Sequence, residues 1–261
     1  MSNDRRRNLG PSSSAPPIYQ KDIHTLESQL KALEQKDSQS SEPQKIFLKT
    51  SLLTKPNGSS YLELHVPSTS TPTKLLCAIY GPRPTPRSTP YSPTATLTLD
   101  LSFSPFSTRT RSLPHLRSPL ERTCAKRIED SIRSAIRAEL YPKTQIEIFV
   151  CVLEAPLSGD EADAEGVWSA AVNAVGAALV DAGIEMRDIP SAASCDGLSL
   201  ATLLATGEIT ELSSKGKIDI GDWDKRVEEC LRKAAEVRGV VNAVLRRDVE
   251  RRREEGDGME F

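Results

Sequence analysis

The sequence predicts an α+β fold. Three observations carry that expectation. Short stretches of alternating apolar and polar residues, joined by a hairpin signal, come early; apolar residues at helical spacing mark long helices at the middle and end; and the two kinds of element alternate irregularly rather than as repeated βα units. Taken in order, residues 1–43 are rich in Ser, Pro, Gln and charge and read as a flexible arm. Within it Ile23, Leu26, Leu30 and Leu33 have helical spacing and suit a short helix formed against a partner. Residues 46–53, 60–66 and 74–80 read as strands, linked by Lys55-Pro56-Asn57-Gly58, a hairpin signal, and by the polar stretch Pro67–Thr73. A Pro/Ser/Thr/Arg loop at 83–93 leads to a strand at 94–104, where Ala95, Leu97, Leu99 and Leu101 alternate with Thr96, Thr98 and Asp100.

After a basic loop, residues 118–140 form an amphipathic helix with the stripe Cys124, Ile128, Ile132, Ala135, Ile136 and Leu140. Gln145–Glu154 alternates as a strand, and Pro156–Gly166 is a polar, acidic loop. In the helix that starts at Gly166, Ala170, Ala171, Ala174, Ala177 and Ala178 mix with Val172, Val175, Leu179 and Val180. Apolar groups cover nearly the whole cylinder, so this helix is buried. Asp181-Ala182-Gly183 closes it, with Gly183 positioned for a left-handed cap. Strands follow near 189–204 and 208–212. A last helix spans about Asp222–Arg252, with the stripe Trp223, Val227, Cys230, Leu231, Ala234, Val241, Val244 and Leu245. The arginines of its final turns (Arg246, Arg247, Arg251, Arg252, Arg253) suit the negative end of the helix dipole.

At 261 residues there is room for one large domain or two small ones, with enough chain to bury a core without disulfide or metal staples. The five cysteines (Cys77, Cys124, Cys151, Cys195, Cys230) are scattered, mostly in apolar runs, and lack C-x-x-C spacing; they read as reduced, buried thiols of an intracellular protein. No signal peptide opens the chain and no apolar run approaches the ~20 residues of a membrane span, so no membrane partner is expected. Net charge is −2, yet residues 1–150 hold 21 Lys and Arg against 13 Asp and Glu, and residues 151–261 hold 13 against 23. That asymmetry permits a basic face for a polyanion; it is equally compatible with halves that mix and cancel in the folded surface.

A literal string at the end of the buried helix, DAGIEMRD (Asp181–Asp188), adds a resemblance. It resembles the D-A-G-I-x-M-x-D of the RNase PH family, particularly its members in the eukaryotic RNA exosome. Four other segments match in order. Asn57–Glu63 (NGSSYLE) looks like the early G-S-A-x-V-E strand, and Ala78–Pro82 (AIYGP) like the A-V-Y-G-P strand end. Phe106-Ser107-Thr108 with its basic neighbours resembles the central basic loop, and Leu140–Val150 (LYPKTQIEIFV) resembles L-x-P-R-S-Q-I-D-I-x-V. The match covers about residues 44–200, and Asp4–Pro11 is similar to the opening of one exosome ring subunit in its fungal form. The resemblance implies an RNase PH fold, a ribosomal-protein-like βαβ topology with helices packed on mixed sheets. It implies a single domain at 44–255 between the arm at 1–43 and a tail at 256–261.

Active relatives carry a phosphate-binding arginine just upstream of the central helix, in a pattern like G-R-T-M-E-I-Q-R, because a planar guanidinium binds two phosphate oxygens at once. They also carry Q-A-D-G-G-T after the following strand, where an Asp can sit near a metal or act on the phosphodiester while the glycines let backbone approach. This chain departs at both points. Pro119 or Leu120 stands where the arginine belongs, with Arg122 close but out of register. Glu154–Gly166 replaces the second motif, loses the glycine pair and adds Asp160, Glu161, Asp163 and Glu165, which would repel phosphate. Clustered carboxylates could hold Mg²⁺, but short acidic loops are usually solvated surface. His24, His65 and His115 lack metal-ligand spacing, Ser194 and Ser199 have no evident base, and no P-loop, nucleophile elbow or dinucleotide fingerprint is present.

The expectation is therefore a chain that is not an enzyme and needs no cofactor or metal. What the resemblance implies instead is a structural subunit in a hetero-hexameric ring of RNase PH-type chains, bound to cap subunits with oligonucleotide-binding folds and serving a separate 3'-5' nuclease, in nucleus, nucleolus and cytoplasm. The alternatives are an active phosphorolytic 3'-5' exoribonuclease using Arg122 and the acidic loop, and a stand-alone RNA-binding protein. Single-stranded RNA would meet Arg83, Arg87, Arg109 and Arg111, which sit in loops at strand ends and can track phosphates without reading bases. Each of these arginines could equally pair with acids on adjoining subunits or face solvent.

Overall fold

The computed structural model describes residues 44–66, 71–86, 88–107, 117–158, 161–162, 164–195, 197–215 and 220–257; the arm read at 1–43 lies outside the described residues. The strands are β1 (Lys45–Thr50), β2 (Gly58–His65), β3 (Thr73–Pro84), β4 (Thr96–Phe103), β5 (Thr144–Glu154), β6 (Leu157–Ser158), β7 (Glu161–Ala162), β8 (Ser191–Cys195), β9 (Leu198–Leu203) and β10 (Glu208–Ser214). The helices are α1 (Pro119–Arg133), α2 (Ala164–Asp181) and α3 (Trp223–Asp257).

β1, β2 and β3 form an antiparallel meander that continues through antiparallel β5 to β4, in the order β1-β2-β3-β5-β4. β4 runs parallel to β5, so the chain must cross over between them, and α1 is that crossover. β8, β9 and β10 form a second, antiparallel sheet in the order β10-β9-β8. The predicted α+β class is what is observed.

α2 lies in the centre. Trp168, Val172, Val175 and Leu179 are fully buried, and so are Ala170, Ala171, Ala174, Ala177 and Ala178, as expected of a helix apolar on every side. Its small residues admit close neighbours: Ser60 donates to the Ala174 carbonyl at 2.7 Å, and Asn173 exchanges two 2.9 Å hydrogen bonds with the Ala192 backbone. Gly183 takes the left-handed conformation (φ 69°), and its N–H donates to Val180. On the five-stranded sheet one side chain in two points at the helices: Leu62, Leu75, Cys77, Ile79, Ile146, Ile148, Val150 and Val152 are all buried.

Several boundaries differ from the sequence reading, two of them for a tertiary reason. The central helix stops at Arg133, not at residue 140. Ala135 and Arg137 instead trade backbone hydrogen bonds with Arg187 and Glu185, and Leu140 ends up 51% exposed. β1 stops at Thr50, because Ser51 takes a positive φ (55°) and turns its N–H to Asp181, so Leu52 and Leu53 leave the sheet. Within the stretch read as a loop at 156–166, β6 pairs antiparallel with β7, and α2 begins at Ala164. The last helix continues to Asp257, so its arginines are not all in a terminal turn, and Val237 joins the buried stripe. Cys77 and Cys124 are buried and their thiols pushed up by burial, Cys124 to about 11, which keeps them protonated.

Candidate functional site

The N-terminus of α1 is where the resemblance places a phosphate-binding arginine. Ser118 caps it in extended conformation, with Pro119 in the first turn, where its missing N–H costs nothing. The Leu120 N–H donates to Ser118 Oγ at 3.3 Å. Glu121 closes the capping box: its carboxylate accepts from the Ser118 N–H at 2.8 Å and the Phe103 N–H at 3.0 Å. A helix N-terminus attracts anions because its N–H groups point outward with the dipole behind them. Here an anion is already supplied, covalently, by Glu121.

Beside it, between α1 and β4, lies a cleft of about 230 Å³ lined by Asp100, Arg117, Glu121, Arg122, Lys126 and Glu129 among others. Several of its charges are paired: Arg117 meets Asp100 at 2.6 Å, and Lys126 meets Glu129 at 3.5 Å and, outside the lining, Asp130 at 3.0 Å. Arg122 stands exposed at its rim.

The buried side of α1 carries a second constellation that the sequence did not disclose. Arg127 is forked onto Glu165 of α2, with Nη1 at 3.1 and 3.2 Å from the two carboxylate oxygens and Nη2 at 3.2 Å, while its Nε donates to Glu211 of β10 at 2.6 Å. Ser131 donates to Glu211 at 2.7 Å, and Ser199 of β9 donates to Glu165. The guanidinium lies over the indole of Trp168, 4.7 Å from the ring centroid. Burial pulls the Arg127 pKa down, but the hydrogen bonds and charges of Glu165 and Glu211 more than offset it and hold it above the usual arginine value. One cation here faces two anions, so the group as a whole is negative and repels phosphate. Arg122 and Arg127 are five residues apart, about 140° around the helix, so Arg122 and Glu165, paired in the enzyme alternative, belong to different sides of α1. Glu161 lies in β7, whereas Asp160 and Asp163 are outside the described residues. Among the described residues no three His, Cys, Asp or Glu gather as a metal-binding group.

The aspartates that bracket the DAGIEMRD string are structural ties. Asp181 accepts from the Ser51 hydroxyl at 2.6 Å, the Ser51 N–H at 3.1 Å, the Ser59 N–H at 2.9 Å and Arg252 of α3. Asp188 accepts from the Ala205 N–H at 2.7 Å and from Arg238 of α3 at 2.5 Å. Arg252 thus has a specific partner, which replaces the helix dipole as the reason for its charge.

For Asp181, burial pushes the pKa up, but the bonds from Ser51, Ser59 and Arg252 outweigh it and leave it below the usual carboxylate value. A depressed folded-state pKa means that the stabilisation is present above the unfolded value of about 3.9 and is lost as pH falls through the folded one. Asp181→Asn is therefore expected to cost about 2 kcal/mol at pH 7 and progressively less below about pH 4. Urea melts of both proteins at pH 7 and pH 3 check this; an unchanged difference would refute the assignment.

Of the four arginines expected to meet RNA, Arg83 alone is described. It stands exposed just past the irregularity in the β3–β5 pairing, its guanidinium 4.6 Å from the Tyr80 ring centroid. Arg87, Arg109 and Arg111 lie outside the described residues.

The family described as 3' exoribonuclease family, domain 1 (RNase PH) matches residues 42–185. The exosome complex component MTR3 of Chaetomium thermophilum is 35% identical over 196 residues, 71% of this chain and 68% of that one. The exosome complex component mtr3 of Schizosaccharomyces pombe is 25% identical over 266 residues, 93% of this chain and 95% of that one. Among solved structures, rice Rrp46 superposes with a TM-score of 0.62 at 15% identity, covering 78% of this chain and 96% of its own, a likeness of fold.

Proposed function

Since this chain belongs to the RNase PH 3' exoribonuclease family, we propose that it is a non-catalytic structural subunit of an RNA exosome core ring, of the MTR3 kind. It would sit among other RNase PH-type chains in a hetero-hexamer, with cap subunits of oligonucleotide-binding fold on one side. Single-stranded RNA would pass toward a separate 3'-5' nuclease, in nucleus, nucleolus and cytoplasm. The relatives named as exosome components support membership. The observation that carries the non-catalytic part is the filling of both places where an anion would be gripped. Glu121 occupies the N-terminus of α1, and Arg127 is taken up by Glu165 and Glu211. Phosphorolysis needs inorganic phosphate held beside the scissile bond, and each of those positions already holds a carboxylate. Arg83, Arg87, Arg109 and Arg111 are proposed to contact RNA phosphates along the channel.

The purified full chain, given a single-stranded RNA, Mg²⁺ and inorganic phosphate, is expected to release no nucleoside diphosphate above a no-protein control. Phosphate-dependent release that Arg122→Ala abolishes would establish the phosphorolytic alternative instead.

A further inference from the structure

The four buried cysteines fall into two groups. Cys77 and Cys124 belong to the main core. Cys195 and Cys230 share a smaller core with Leu198 and Leu200, where the small sheet meets α3 and Trp223, Val227 and Leu231 pack against them. Cys195 is the last residue of β8, and Cys230 lies near the start of α3. Their side chains are in hydrogen-bonding contact. Cys230 Sγ also lies 3.7 Å from the Leu198 carbonyl oxygen, across the β8–β9 turn from Cys195. Lys233, one turn further along the same side of α3, hydrogen bonds to Cys195 and meets Glu229 at 2.9 Å. Two sulfurs from different elements and one ammonium thus converge outside everything the phosphate and RNA readings use.

A thiol attacks as its thiolate, and burial alone disfavours that form. Cys77 shows the plain case: burial pushes its thiol up. Cys195 differs. The Cys230 S–H donates to its sulfur and the Lys233 ammonium stands beside it, and together they outweigh burial and the charge of Glu229, so its pKa falls below the ordinary thiol value. Cys230, which donates to that sulfur and is wholly buried, is pushed up and keeps its proton. The pair is therefore unequal, one sulfur primed to attack and the other held protonated against it. Cys195 is 5% exposed and the Lys233 side chain 28%, so the oxidant this site suits is a small one. We propose that Cys195 and Cys230 are a hydroperoxide-sensitive thiol pair that closes a disulfide between β8 and α3, with Cys195 attacking and Cys230 resolving. The Cys195 thiolate attacks one peroxide oxygen. An S–O bond forms, the O–O bond breaks, and the leaving oxygen takes up the proton released from Cys195 and departs as water or an alcohol. Cys230 sulfur then attacks the Cys195 sulfenic sulfur. An S–S bond forms, the S–O bond breaks, and water leaves with the Cys230 proton. The two thiols lose two electrons in all, and the hydroperoxide gains them. The new bond ties the start of α3 to the small sheet and closes a loop of about 35 residues, which narrows the unfolded ensemble. None of this rests on the ring reading.

The test treats the reduced full chain with hydrogen peroxide at neutral pH, blocks the remaining thiols with N-ethylmaleimide at successive times, and maps the peptides by mass spectrometry without reduction. The expected product is one intrachain link, Cys195 to Cys230, lighter by two hydrogens and reversed by dithiothreitol. In Cys230→Ala the reaction is expected to stop at a Cys195 sulfenic acid that dimedone captures; in Cys195→Ala, Cys230 is expected to stay unmodified. Lys233→Gln is expected to slow the linking about fivefold while leaving the linked pair the same, because the anion loses its cation. Cys151 is the internal control, since it is more exposed than Cys195 and would react first if exposure alone decided. Modification of Cys151 ahead of Cys195, a link between two chains or through another cysteine, or no Cys195–Cys230 link at all in the natural chain would overturn the proposal. An unchanged rate in Lys233→Gln would overturn the assignment of Cys195 as the activated sulfur.

Discussion

Gly58→Ala is expected to destabilise the protein by about 3 kcal/mol or more and to lower its melting temperature on the order of 10 °C. A Cβ at this position would stand 2.3 Å from the Ala178 carbonyl oxygen, 2.4 Å from the Ala182 nitrogen and 2.7 Å from the Ala182 Cβ. Two of these are backbone atoms of α2 and its cap, which cannot swing aside as a side-chain tip can. The start of β2 or the end of α2 must move, and that end also carries Asp181 with its bonds to Ser51, Ser59 and Arg252. Gly183→Ala is the matched control. Gly183 has a positive φ but open space around its Cβ position, so it should cost only the backbone penalty, about 1 kcal/mol. Thermal melts of the two variants separate the causes; equal losses would rule out steric exclusion at Gly58.

Arg127→Leu should cost a comparable amount, about 3–5 kcal/mol, through charge. It leaves Glu165 and Glu211, whose side chains are only 15% and 17% exposed, facing each other with no cation between them. It also removes the guanidinium from the Trp168 ring, whose indole N–H has no acceptor among the described residues. Combining Arg127→Leu with Glu165→Gln and Glu211→Gln is expected to recover most of the loss, because the uncompensated charge goes and Ser131 and Ser199 keep acceptors. Urea denaturation of the single and triple variants measures this. A triple variant no better than the single would mean that packing, not charge, holds the three elements together.

Much of the fold was legible where local rules and tertiary context agree. The all-round apolar surface of the 166–180 stretch marks a central helix, alternation marks β2 to β5, and Gly183 is the cap its position suggests. The errors lie where a distant partner decides. Ile136 and Leu140 continue a helical spacing, yet the backbone at Ala135–Arg137 pairs with Glu185–Arg187, some fifty residues on, and nothing local announces that. Asn57-Gly58 reads as a turn signal, and a hairpin does join β1 and β2; but Gly58 lacks a positive φ and is required by the approach of α2, a contact 120 residues away. For the candidate site, the absence of the phosphate arginine and of the Q-A-D-G-G-T glycines was readable from the motifs. The substitutes were not: Glu121 has the spacing of a capping box, which could have flagged it, whereas Arg127 becomes significant only once Glu165 and Glu211 converge from two other elements.

The two ties from the DAGIEMRD string reach α3 at Arg238 and Arg252, about four turns apart. A rod bolted at two points can neither slide along its axis nor peel from one end without breaking a bolt, and Thr50 to Asp248 at 2.5 Å adds a third. The last helix is therefore a splint across the molecule: it unites the edge strand β1 with the small sheet, so that fraying at the C-terminus would reach the first strand of the domain.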